Sequence, residues 1–121
     1  MHDATEGGLL GALHETSEAA GVRLTVDGDA VPVRPGVPEA CEALSMDPWR
    51  ATTSGTLLVA VDPEDTDAVV GALEARGTPV GVTGRVEAGS GVTVDGADAE
   101  DPDGDSSWVV YERLAADSED R

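Results

Sequence analysis

Lysine and phenylalanine are both absent from this 121-residue sequence. Seven basic residues, all of them Arg, stand against 25 acids, for a formal charge of −18. Phosphate backbones and anionic lipid surfaces would be repelled by such a chain, so nucleic-acid and membrane-surface partners are excluded. A single cysteine, Cys41, allows neither an internal disulfide nor a cysteine-cluster zinc site. The two histidines, His2 and His14, lack the spacing of a ligand pair, so no metal site is expected. No apolar run is long enough to span a bilayer, and the polar, acidic start is no signal peptide, so a cytoplasmic chain is expected. Aromatics are reduced to Trp49, Trp108 and Tyr111. Scarce aromatics and high charge are also marks of disorder. Against that, 40% of the residues are hydrophobic, and they recur periodically. The balance favours one folded domain with an acidic, heavily hydrated surface of the halophilic kind, its self-repulsion screened by salt.

The apolar periodicity outlines an α+β domain, a mixed sheet with packed helices. Residues 6–20 read as a helix with Leu9, Leu10, Leu13 and Ala20 on one face. Thr5 suits its N-cap, Glu6 its first turn and Gly21 its end. On its outer side His14 and Glu18 are spaced as an exposed ion pair. Val22 to Val26 alternates as a strand. Residues 38–45 form a short helix with Pro38 early and Ala40, Cys41 and Leu44 inward. Thr56 to Val61 is a continuous apolar run, expected as a central strand covered on both faces. Asp62 and Pro63 start a helix whose stripe is Ala68, Val69, Ala72 and Leu73 and whose stop is Gly77. Val80, Val82 and Val86 alternate on a further strand, and Val92 and Val94 on another. Within one domain, residues 1–96 are the expected core, 97–106 an acidic loop, 107–114 a terminal strand and 115–121 a flexible tail.

The segment His2-Asp3-Ala4-Thr5-Glu6-Gly7-Gly8-Leu9 carries the strongest functional signal. Adjacent glycines let a backbone turn tightly and be closely approached, and helix-start amides favour an anion. The plainer reading is a helix entry that only packs. Ser54 and Gly55, before the apolar run, are open to the same two readings: a turn into a strand, or the edge of a site. Residues 101–112 place acids at positions 1, 3, 5 and 12 of a calcium-loop template. Glycine falls at position 4 rather than 6 and the flanks read as strand, so the template is not met.

Asp3-x-Thr5-x-Gly7-Gly8 resembles the stretch that opens the C-terminal domain of the AIR synthase-related superfamily, most nearly its hydrogenase-maturation (carbamoyl dehydratase) branch and archaeal relatives. The likeness continues through Ala12-Leu13-His14-Glu15, Ala19-Ala20-Gly21-Val22 and Pro32-Val33-Arg34. It resumes at Ala40-Cys41-Glu42-Ala43-Leu44, Asp47-Pro48, Ser54-Gly55-Thr56-Leu57-Leu58 and Gly81-Val82-Thr83-Gly84-Arg85-Val86, and spans about residues 2–96. The resemblance implies an ATP- and Mg²⁺-dependent cleft, shared with an N-terminal ATP-binding domain that this chain lacks. Asp3, Thr5, Gly7, Gly8, Ser54 and Gly55 would border it. It implies no turnover by the chain alone, a partner domain or chain for activity, and leaves a homodimer open. Met1 falls where the motif is internal in the family, so a fragment or split gene is expected. The second reading is a free-standing, non-catalytic binding or interaction domain. Two departures bear on the choice. The maturation enzymes often carry Arg where Glu6 stands. They also use a terminal cysteine as carbamoyl acceptor, whereas this chain ends Ser118-Glu119-Asp120-Arg121.

Overall fold

The computed structural model describes residues 1–53, 55–101 and 105–119, an α+β architecture in two compact units. The first comprises Met1–Thr16, Arg34–Leu58 and Asp101–Arg121; the second comprises Ser17–Val33 and Val59–Glu100.

In the first unit, strand β1 (His2–Ala4) pairs antiparallel with β3 (Thr56–Leu58), setting Asp3 opposite Leu57 and Ala4 opposite Thr56. Helix α1 (Gly8–Ala20) follows β1 and continues into the second unit. Ala4, Ala12, Leu13 and Val110 are the buried apolar residues here. Helix α2 (Val37–Ala43) begins after Gly36 in a left-handed conformation, with Pro38 in its first turn. The expected inward stripe of α2 is not buried: Ala40 is exposed, Cys41 half-buried and Leu44 39% exposed. The helix forms for local reasons, its proline start and its Leu44 N–H to Ala40 carbonyl bond, and not because a core covers it.

Two further expectations fail in this unit. The apolar run after Gly55 is strand only at β3, in a two-stranded sheet, and Leu57 is 55% exposed. Among the described residues β1 is its one sheet partner, so β3 is an edge of a two-stranded sheet and not a central strand. Residues 106–119 form helix α4 (Ser106–Glu119), where a strand over 107–114 and the first part of a tail were expected; residues 120 and 121 lie outside the described residues. Trp108, Val109 and Tyr111 favour strands, but Asp105 accepts the Ser107 N–H at 2.8 Å and supplies an N-cap. Leu114, Ala115 and Ala116 then propagate the helix.

The second unit is built on a mixed four-stranded sheet, ordered β4 (Gly84–Glu87), β2 (Arg23–Val26), β5 (Val92–Val94), β6 (Ala97–Ala99). β2 runs parallel to β5 and antiparallel to β4. Its alternation puts Leu24 and Val26 inside with Val92. Arg23 points the other way, bonding the Ser90 carbonyl, the Thr93 hydroxyl and, at 2.6 Å, the Asp98 carboxylate. Strand β6 therefore occupies part of the expected acidic loop. Residues 102–104 lie outside the described residues, and with them much of the calcium-like spacing. The Val80–Val86 alternation yields strand only at β4, which is exposed throughout.

Helix α3 (Thr66–Ala75) follows a 3₁₀ turn, Pro63–Asp65, that Asp62 caps through the Glu64 N–H. It stops as expected at Gly77: Gly77 and Thr78 donate to the Glu74 and Leu73 carbonyls, a left-handed close only glycine adopts cheaply. No α3 residue is buried, and Ala68 and Ala72 of its stripe are exposed. No helix among the described residues is long and apolar enough to cross a membrane.

Candidate functional site

The opening motif belongs wholly to the first unit, and its glycines are the reason it turns. Gly7 (φ 79°) and Gly8 (φ 65°) are both left-handed, a pair of conformations that L side chains resist. A right-handed helix cannot include such a pair, so α1 starts at Gly8 and not at residue 6. Thr5 accordingly contributes its carbonyl, not a side-chain cap. That oxygen accepts the Gly8 N–H at 3.0 Å and the Thr53 N–H at 3.4 Å. Glu6 is left exposed in the turn, outside the helix.

Gly8 is buried, and the group that approaches it is the unit's own backbone. A β-carbon there would stand 2.6 Å from the carbonyl oxygens of both Trp49 and Ala51. The sequence reading allowed close approach by a ligand; the structure fills that space with residues 49–51. Asp3 and Thr5 are exposed. Gly55 is exposed too, with open space where a side chain would project. The β1–β3 pairing and the Thr53–Thr5 bond bring Asp3 and Thr5 beside the segment that ends in Gly55, so two candidate regions fifty residues apart adjoin. Ser54 lies outside the described residues.

Sequence reasoning missed the residue that organises this turn. Asp105 is 3% exposed, and both its oxygens are in use. Oδ1 accepts the Ser107 N–H and the Ser107 hydroxyl; Oδ2 accepts the Gly7 N–H at 2.8 Å and the Thr52 hydroxyl. Burial acts to raise its pKa, but the bonds from the Ser107 and Thr52 hydroxyls and the Ser107 and Gly7 amides outweigh that. The carboxyl is held at about 2, against an ordinary 3.8. Ser106 donates its hydroxyl to the Asp47 carbonyl, and the Ser107 and Thr52 hydroxyl oxygens lie 3.2 Å apart, each directed at the Asp105 carboxylate. The run Asp105-Ser106-Ser107 before apolar residues was the available signal, a helix cap read instead as the end of a loop.

Beside this turn opens a pocket of ≈ 270 Å³ lined by Glu6, Gly7, Glu15, Asp101, Asp105 and Trp108, among others. Carboxylates dominate the lining, and no basic residue among those described joins it. His2 pairs with Glu15 at 2.6 Å. His14 is not the exposed partner of Glu18: it is 9% exposed, its Nε2 buried without a hydrogen bond. No group of three or more His, Cys, Asp or Glu residues among those described is placed to hold a metal.

ATP and Mg²⁺, which the resemblance implies, do not fit these residues alone. The Gly7 and Gly8 amides are already bonded, and acids near a phosphate would repel it unless a cation stood between. Residues 1–97 match the family described as AIR synthase related protein, C-terminal domain. The carbamoyl dehydratase HypE of Rhizobium leguminosarum bv. viciae is 37% identical over 90 residues, 73% of this chain but 26% of that protein. That of Cupriavidus necator is 39% identical over 70% of this chain and 24% of its own length. The crystal structure of HypE from E. coli, a hydrogenase maturation protein, superposes with a TM-score of 0.74 at 30% identity, covering 83% of this chain and 34% of that one. The chain thus spans about a quarter to a third of these relatives. On the match of residues 1–97, the chain belongs to the AIR synthase-related family as its C-terminal domain.

Proposed function

We propose that this domain is the cleft-lining, C-terminal half of a hydrogenase-maturation-like, ATP-dependent protein, active only with an N-terminal ATP-binding half. The observation that carries the proposal is the coverage: similarity to the carbamoyl dehydratase runs over 73% of this chain and only 26% of that protein. Two features support it. The β1–β3 pairing sets Asp3 and Thr5 beside Gly55 on an accessible strip, with room at Gly55 for a closely approaching group. Apolar side chains that a core would normally take, Leu57 among them, remain exposed there. In this reading Asp3, Thr5, Gly7, Gly8, Ser54 and Gly55 border the cleft. The groups that neutralise phosphate come from the other half, because this chain has no lysine and no described basic residue lines the pocket.

The test measures ATP hydrolysis by the purified chain alone and after co-expression with an ATP-binding half. That half is the one encoded directly upstream, or otherwise the corresponding segment of the Rhizobium relative. No turnover alone and turnover in the pair, lowered by Asp3→Ala, is the expected result. Turnover by the chain alone, or two halves that neither associate nor hydrolyse ATP, overturns the proposal. The second reading, a non-catalytic binding domain, is favoured by one observation: the Gly7 and Gly8 amides are satisfied inside the unit.

A further inference from the structure

Helix α4 is held to its unit along one side. Val110 is buried there, and Arg113 donates to the Leu44 carbonyl at 3.1 Å. Trp108, Tyr111 and Ala115 recur at i, i+3 and i+7, so they share the opposite face, with Leu114 beside them. That face is open: Trp108 is 48% exposed, Tyr111 74% and Leu114 56%. The sequence holds three aromatic residues in all, and two of them stand here in water. Exposed aromatics beside an aliphatic side chain are the usual anchors of a protein–protein contact.

The open face runs into an acidic pocket. Trp108 also lines the cavity beside the glycine turn, together with Glu6, Glu15 and Asp101, and no described basic residue lines it. Glu15 has His2 at 2.6 Å, whereas Glu6 and Asp101 are exposed carboxylates. A guanidinium fits both parts of this lining: its plane stacks on an indole ring and its edge N–H groups reach carboxylates. An anion would be repelled, and a second copy, itself at −18, would set acids against acids.

We propose that the open face of α4 and the acidic pocket at its N-terminal end form one docking surface for a basic amphipathic helix of another protein. That helix lays apolar side chains along Trp108, Tyr111 and Leu114 and inserts an arginine against Trp108. Helix α4 lies beyond residues 1–97, the segment that matches the family, so this partner is distinct from the ATP-binding half, and the inference goes beyond the proposed function.

The test titrates the full chain in molar KCl with a fluorescein-labelled amphipathic helical peptide of leucine and arginine, followed by anisotropy. Molar salt shortens the Debye length to about 3 Å, which suppresses non-specific attraction to an acidic chain and leaves contacts made at close range. Saturable binding is expected, weakened about tenfold or more by Tyr111→Ala with Leu114→Ala. Glu6→Gln with Asp101→Asn should weaken it about fivefold or more, while Asp29→Asn with Glu74→Gln, the same change of charge in the second unit, should leave it within about twofold. All six positions are exposed, and circular dichroism verifies that each variant folds. A peptide with glutamine in place of arginine, which needs no variant, should bind about fivefold or more weakly to the wild type. Absence of saturable binding, equal affinity in all the variants, or equal affinity for the glutamine peptide overturns the proposal. Two further results also overturn it: self-association of the wild type that Tyr111→Ala abolishes, which gives the face to a second copy, and displacement of the peptide by the ATP-binding half, which gives it to the cleft.

Discussion

Gly8→Ala tests the packing of the opening turn against a control the molecule itself provides. Gly8 and Gly21 share a φ of 65°. Around Gly21 an added β-carbon meets nothing within 4 Å, whereas at Gly8 it meets the Trp49 and Ala51 carbonyl oxygens at 2.6 Å. A left-handed L-residue costs about 1–2 kcal/mol at either site. Reducing the freedom of the unfolded chain offsets that equally in both, by about 0.4–1 kcal/mol. What differs is the collision, which requires backbone to shift and costs about 1–3 kcal/mol in a packed region. Gly8→Ala should therefore be less stable than Gly21→Ala by about 1–3 kcal/mol, a Tm lower by roughly 3–15 °C for a chain of this size. Urea and thermal unfolding of both variants in molar KCl give the comparison. Equal stabilities would refute the claim that residues 49–51 are what Gly8 makes room for. A ligand approaching an otherwise open glycine would then be the better account.

Acid should weaken the fold through Asp105. Its folded pKa, about 2, lies below the ordinary 3.8, so its contribution is complete above pH ~4 and is lost as the pH falls toward 2. That contribution is about 2 kcal/mol, and unfolding measured between pH 5 and 2 should show an acid-dependent loss that is smaller by this amount in Asp105→Asn. Salt should act in the opposite sense: with a charge of −18, the domain should melt at lower temperature in 0.01 M than in 1 M KCl, where the Debye length falls from about 30 to about 3 Å. A Tm unchanged across that range rejects the screening argument.

Asp3, Thr5 and Gly55 are accessible and adjacent, as the proposed cleft border requires. Gly7 and Gly8 are explained first by the domain's own backbone and by Asp105. The proposed ATP-dependent role then requires phosphate contacts from the other half.

Local chemistry was legible in the sequence wherever a short stretch decides its own conformation. Asp62 capping before Pro63, the Gly77 and Gly21 stops and the alternation of Arg23–Val26 all stand where their residues imply. Each is settled by bonds or sterics within a few residues. The family was legible too, in the order and spacing of motifs over about residues 2–96, and the family match covers residues 1–97. Partnership was not legible. Thr56 to Val61 has the composition of a buried central strand, yet among the described residues only β1 pairs with β3, and Leu57 stays exposed. Trp108 to Tyr111 prefers strand by composition, and Asp105 turned it into helix by capping its first turn while binding Gly7, 98 residues earlier. That contact joins residues at opposite ends of the chain, and no local pattern encodes it. The sequence determined which residues bend, cap and alternate, because those are short-range properties of the backbone. Only the tertiary structure decided which carboxylate meets which amide, and so whether the glycine turn is open to a ligand or filled by the protein itself.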